Sequence, residues 1–202
     1  GFGLSFTAPA ERDLKSRTAF DEYLSDPAKP VPYLPRPVRF DDGDAWRRWL
    51  LTDQRFIADR PDVLSYVTPP LTEAVQIAGV PAVNLVASTS GTDSDWVVKL
   101  IDVYPPNADF PAGVDLNVGD SIVRGRYRES LKTAKPLEPG KPYEFTIEMY
   151  PTSLVFRRGY RIRLDISSSD FPRFDVNPNT GEPLNEQRRS RIAVNSIYHD
   201  PQ

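Results

Sequence analysis

The sequence predicts an all-β protein, an antiparallel jelly-roll sandwich with an irregular proline-rich N-terminal segment and at most one or two short helices. Three observations carry that prediction. From residue 63 onward, apolar and β-branched residues recur with a period of two, as strands with one buried face require. Turn dipeptides such as Pro139-Gly140 and Arg158-Gly159 separate these runs. Twenty-one prolines in 202 residues are about twice the average usage and leave little room for long helices.

The elements follow in order, with an arm and short helix over 1–62 and a sandwich over 63–202. Leu4-Ser5-Phe6 reads as a short strand. Prolines at 27, 30, 32, 35 and 37 forbid helix and favour an extended path. A flexible linker is one reading of it. Interleaved Val31, Tyr33, Leu34 and Val38 favour a path docked on a surface. Trp46, Trp49, Leu50 and Phe56 fall at three-to-four spacing behind Asp44 as N-cap, and predict a short helix within 44–58. An irregular loop with one helical turn fits nearly as well.

Strands are then predicted over 63–67, 75–78, 82–89 and 96–104. Tyr143, Phe145, Ile147 and Met149 alternate with Glu144, Thr146 and Glu148. Tyr160, Ile162, Leu164 and Ile166 alternate with Arg161, Arg163 and Asp165, so the first set is expected in the core and the second in water. About eight strands without intervening helical patterns read as a jelly roll.

Composition excludes several function classes. The 25 Lys and Arg and 28 Asp and Glu are mixed along the chain, with a net charge of −3, so no broad basic surface for nucleic acid is expected. The absence of cysteine removes disulfides, thiolate catalysis and thiolate metal sites. No stretch approaches the ~20 apolar residues of a membrane helix. Gly1 to Pro9 show neither the basic nor the apolar region of a signal peptide.

Catalytic patterns are sparse. A serine hydrolase needs a nucleophile on a strained turn, a histidine base and an orienting carboxylate. Ser90-Gly91 lacks the leading glycine of a nucleophile elbow, and His199 is the single histidine, too few imidazoles for a histidine metal site. Asp93 and Asp95 flank Ser94 and precede Trp96. They can satisfy turn amides, ligate calcium, or join Trp96 in contacting a neighbouring domain. Read as a strand, Arg124, Arg126 and Arg128 share one face and look to carboxylates on neighbouring strands. No phosphate loop occurs. These residues alone describe a β-sandwich without a self-contained active site.

Longer stretches carry a resemblance. They are Tyr23-Leu24-Ser25-Asp26-Pro27-Ala28-Lys29-Pro30-Val31-Pro32, Asp53-Gln54-Arg55-Phe56, Arg60-Pro61-Asp62-Val63-Leu64 and Ala87-Ser88-Thr89-Ser90-Gly91-Thr92-Asp93-Ser94-Asp95-Trp96. They continue with Lys99-Leu100-Ile101-Asp102-Val103-Tyr104-Pro105, Arg124-Gly125-Arg126-Tyr127-Arg128-Glu129-Ser130 and Ser167-Ser168-Ser169-Asp170-Phe171-Pro172-Arg173-Phe174-Asp175-Val176-Asn177-Pro178. Ordered and spread over nearly the whole chain, they resemble the third domain of the family of cocaine esterases, α-amino-acid ester hydrolases and X-Pro dipeptidyl-peptidase-like proteins. Asp53-Gln54-Arg55-Phe56 and the Trp after Asp95 look most like the α-amino-acid ester hydrolases.

The resemblance implies an α/β-hydrolase domain upstream, with a Ser-His-Asp triad and an inserted helical cap. The present chain would follow as a jelly roll of the galactose-binding-domain type. Partners would be that domain and a small ester or amide substrate, attacked through an acyl-enzyme without a cofactor. No nucleic acid or membrane partner is implied, and oligomerisation stays open. The triad has no counterpart here. The segment from Tyr33 to Phe40 aligns with one that approaches the acyl pocket, so Tyr33, Arg39 and Phe40 are the candidate lining residues. Members continue past Tyr198-His199-Asp200-Pro201 into a final strand, so an exposed sheet edge is expected here.

Two other readings share the architecture. An X-Pro dipeptidyl peptidase would differ only in substrate. An autonomous sugar-binding jelly roll would present aromatic platforms, with Trp46 and Trp49 as candidates.

Overall fold

A computed structural model of the chain describes residues 2–7, 20–35 and 52–199. The described elements are β1 (Phe2–Gly3), β2 (Phe20–Ser25), α1 (Arg55–Ala58), β3 (Leu64–Val67), β4 (Val75–Gly79), β5 (Ala82–Thr89), β6 (Asp95–Tyr104) and β7 (Val114–Arg124). A single 3-10 turn (Gly125–Tyr127) follows, then β8 (Tyr143–Glu148), β9 (Thr152–Phe156), β10 (Arg161–Ser167) and β11 (Ala193–Tyr198). Among the described residues no helix is long and apolar enough to cross a membrane.

Two sheets form the expected sandwich. One runs β1-β3-β10-β6-β7 and the other β2-β11-β5-β8, with β4-β9 as a separate ribbon. Every pairing is antiparallel except β1 with β3. Alternation places Leu64, Tyr66, Trp96, Val98 and Ile166 of the first sheet against Tyr23, Leu85, Ala87, Phe145, Ile147 and Ile197 of the second. Trp96 and Phe145 meet across the core with ring centroids 4.4 Å apart. Each such large side chain contributes about 1.5–3 kcal/mol by leaving water.

Several expectations are corrected. On β10, Ile162 and Ile166 are buried and Leu164 half-buried, but Arg163 and Asp165 on the opposite face are buried too. Other parts of the chain bond to that face: Arg163 donates to the Gln54 carbonyl and Lys99, opposite Asp165, pairs with Asp170. Arg124 to Arg128 are not a strand: β7 ends at Arg124 and the chain turns. The turn needs Gly125, because a Cβ there would lie 2.7 Å from Leu137 and 2.9 Å from Trp96. The first strand is Phe2–Gly3 rather than 4–6, and Leu4 adds one bond to the Val67 carbonyl. Of the helix expected within 44–58, the described part holds only Arg55–Ala58. Residues 44–51, with Trp46 and Trp49, lie outside the described residues. The strand at Ala193–Tyr198 lies between β2 and β5, so among the described residues β2 and β8 stand at that sheet's two edges, which agrees with a sheet that keeps open edges.

Candidate functional site

The proline-rich segment is docked. Pro30, Pro32 and Pro35 carry no N–H, so the amides between them are the ones left to pair. Val31 donates to the Ser169 hydroxyl at 2.8 Å and Tyr33 to the Phe171 carbonyl at 3.1 Å, while the Phe171 amide returns a bond to the Val31 carbonyl at 2.9 Å. Pro32 bridges Phe171 in parallel. Val31 packs with Ile57 and Val63 in a small apolar cluster, and Tyr33 and Leu34 are buried beside it along the chain. Burial and the nearby Asp170 carboxylate push the Tyr33 hydroxyl above its ordinary pKa. Arg39 and Phe40, the other two candidate lining residues, lie outside the described residues.

Beneath this segment runs a buried ionic layer on the outer face of the five-stranded sheet. Lys99 forms an ion pair with Asp170 at 2.8 Å and donates to Gln54 Oε1 at 3.4 Å. The Gln54 amide bonds the Asp115 carbonyl at 2.9 Å, and its own carbonyl accepts from Arg163 at 3.0 Å. Arg163 also pairs with the Asp115 carboxylate and with Asp165 at 3.1 Å, and Ser65 donates to Asp165 at 2.7 Å. Arg173 pairs with Asp120, which accepts from Asn117 at 3.1 Å. Desolvation pushes the carboxyls of Asp115, Asp165 and Asp170 up, and the neighbouring Arg163 or Lys99 pulls each back toward the charged form. Sequence reading missed this layer. Its visible signal is Lys99, one cation inside the apolar run from Trp96 to Ile101.

Asp93 and Asp95 serve a second buried network. Arg124 grips both oxygens of Asp95. Asp93 accepts the Arg126 amide at 2.9 Å and pairs with the Arg126 guanidinium at 3.2 Å. Asn177 donates to both carboxylates, at 3.0 and 2.7 Å. Asn177 Oδ1 accepts the Asn179 amide, and the Asn179 side chain ties Ser25 to the Arg191 carbonyl. Asp93, Asp95 and Trp96 are each at most 1% exposed, so they offer no direct contact surface. What they hold is the 3-10 turn and the segment through 177–179. Asn177, Asn179 and Asn195 were not singled out by sequence. Asn195 bonds Ser94 and Ser168 across the core.

The chemistry of acyl transfer is not assembled within the described residues. His199 Nε2 lies 2.6 Å from Asp21 Oδ2, an oxygen that also accepts from the Tyr66 hydroxyl at 2.9 Å. Among the described residues no serine or threonine hydroxyl is bonded to His199. The Ser90 hydroxyl instead accepts the Val194 amide at 2.9 Å. A nucleophile paired with a base is therefore missing from this part of the chain.

Comparison with known proteins fits this picture. Residues 7–202 match the family described as the X-Pro dipeptidyl-peptidase C-terminal non-catalytic domain. Cocaine esterase from Rhodococcus sp. (strain MB1 Bresler) is 42% identical over 184 residues, which cover 90% of this chain and 30% of that protein. A putative Xaa-Pro dipeptidyl-peptidase from Rhodopirellula baltica is 30% identical over 60% of this chain and 19% of its own length. Among solved structures, an α-amino acid ester hydrolase superimposes with a TM-score of 0.91 at 48% identity, over 98% of this chain and 33% of that one. An aminopeptidase from a marine sediment Thaumarchaeota archaeon does so at 0.90 and 42%, over 98% and 33%. The match thus spans about a third of the length of the cocaine esterase and of the two solved structures, and about a fifth of the Rhodopirellula baltica protein. With its sandwich intact and no nucleophile–base pair among the described residues, the chain belongs to the family of X-Pro dipeptidyl-peptidase C-terminal non-catalytic domains.

Proposed function

We propose that this chain is the accessory domain of a serine hydrolase acting on esters or amides through an acyl-enzyme, of the α-amino-acid ester hydrolase type. It packs on the catalytic α/β domain of the same polypeptide, and the segment from Tyr33 to Phe40 closes one side of the acyl pocket. The observation that carries the reading is the 48% identity to an α-amino acid ester hydrolase over 98% of this chain. The docked path from Val31 to Leu34 supports it. Its dihedrals are restricted by proline, so it delivers the following residues at low entropic cost.

An X-Pro dipeptidyl peptidase-like enzyme is the second reading, supported by the Rhodopirellula baltica relative. Two assays separate the readings. A fluorophosphonate probe should label a serine of the whole hydrolase and none in this chain. The labelled enzyme should then cleave α-amino-acid esters faster than X-Pro dipeptide amides. Saturable labelling of a serine within this chain would sink the accessory role, and faster cleavage of the dipeptide amides would favour the second reading.

A further inference from the structure

The described residues flank positions 36–51 on both sides, with Tyr33 to Pro35 as one end and Thr52 to Gln54 as the other. Both ends lead to one side chain. At the first end, the three backbone bonds of Val31 and Tyr33 fall on Ser169 and Phe171, the residues on either side of Asp170. At the second end, Gln54 is 2% exposed and held by Asp115 and Arg163. Lys99 reaches the Asp170 carboxylate at 2.8 Å and the Gln54 amide oxygen at 3.4 Å. It stands on β6 between two strands, opposite Asp165 on β10 and Asp120 on β7.

Lysine is almost never fully buried unless paired. Replacing a buried ion pair with apolar residues is often neutral or stabilising. The pair of Lys99 with Asp170, their side chains 5% and 1% exposed, therefore adds little to stability that packing could not supply. What it adds is direction: an ammonium holds two particular acceptors at one point.

We propose that Lys99 is a positioning residue, a single buried ammonium that fastens the two described stretches flanking residues 36–51 to the outer face of the five-stranded sheet, Val31 to Pro35 through Asp170 and Thr52 to Gln54 through the Gln54 side chain. That this fastening serves a substrate pocket rests on the function proposed above; the fastening itself does not.

The first test uses the unaltered chain. In native-state hydrogen exchange the amides of Val31, Tyr33 and Gln54 share one opening free energy and one denaturant slope, because one node holds all three. Exchange of Gln54 through an opening separate from that of Val31 and Tyr33 would overturn the proposal, and needs no variant to fold. The second test is K99M/D170L, which removes the pair without stranding a charge. Protection of those three amides falls about tenfold or more while the amides of Val98 and Ile166 keep theirs. Unchanged protection at Val31 and Tyr33 would overturn it. In the whole hydrolase the same double variant raises KM for an ester with a bulky acyl group and leaves kcat for a small one unchanged. Equal effects on both esters, with exchange coupling intact, would count against the pocket and not against the fastening.

Discussion

Arg124 Nε and Nη2 each meet one oxygen of Asp95 at 2.8 Å, a two-pronged pair between residues directly opposite on β7 and β6. Asp95 is 1% exposed. Desolvation pushes its carboxyl up and the Arg124 fork opposes that. Arg124→Ala strands a buried carboxylate and is expected to cost about 3–5 kcal/mol. Arg124→Lys keeps the charge but loses the fork, and should cost less. Urea unfolding measures both. A loss below about 1 kcal/mol for the alanine variant would mean that water replaces the guanidinium without penalty.

Asp102 has the opposite character. It lies between Ile162 and Leu116 on neighbouring strands, is 2% exposed, and its Oδ1 has no hydrogen-bond partner. Desolvation raises its pKa to about 6, with Arg157 pulling weakly the other way. The unfolded value is about 3.9, so the folded chain holds this proton more tightly. The resulting stability is fully present below the unfolded pKa and is lost as pH rises toward and through 6. Asp102→Asn keeps the shape and removes the charge. It is expected to stabilise the protein by about 1–3 kcal/mol at pH 7 and to change little near pH 3.5. Denaturation midpoints at the two pH values decide it; a destabilised Asn variant at pH 7 would mean that the carboxylate has a partner worth keeping.

These two residues show how far the sequence could be read. The strand at 82–89 coincides with β5, and the alternation in 143–149 marks the face of β8 that meets Trp96. Alternation identifies which residues share a face but not what covers the other one. Hence Arg163 and Asp165 look solvent-facing, although distant segments bury them as an ion pair. The strands β2, β7 and β11 show no clean apolar period, because their inward or covered positions include Ser25, Asp115, Asp120 and Asn195. The pairing of Arg124 with a carboxylate on a neighbouring strand was legible from charge complementarity. Lys99 was visible as an anomaly, but its two acceptors lie 45 and 71 positions away along the chain and follow from topology alone.

The Asp93 and Asp95 turn bears on metals. Its carboxylates are already engaged by Arg124, Arg126 and Asn177. A calcium ion would need to displace two guanidinium groups to gain ligands there. The melting temperature is therefore expected to be the same with chelator and with excess calcium. A cation bound only by the folded state must raise it, so a rise of several degrees in calcium would show that the turn takes the ion after all.

The last prediction concerns Phe40. Proline restricts the path through Pro35, and Val31, Tyr33 and Leu34 are buried along it, so the residues that follow start from a fixed point. In the proposed function Phe40 packs on the acyl group of the substrate across the domain boundary. A role in anchoring the segment to this chain is the competing account, since an aromatic between Arg39 and Asp41 can serve that as well. The two accounts differ in which substrates notice its loss. An apolar contact made to the acyl group is lost only by substrates large enough to reach it, and one such contact is worth roughly 1–3 kcal/mol. Phe40→Ala in the whole hydrolase is therefore expected to lower kcat/KM for an ester with a bulky aromatic acyl group about 10- to 100-fold more than for a small one. Equal losses for both esters, accompanied by a lower denaturation midpoint, would identify Phe40 as the anchor of the segment and remove it from the pocket.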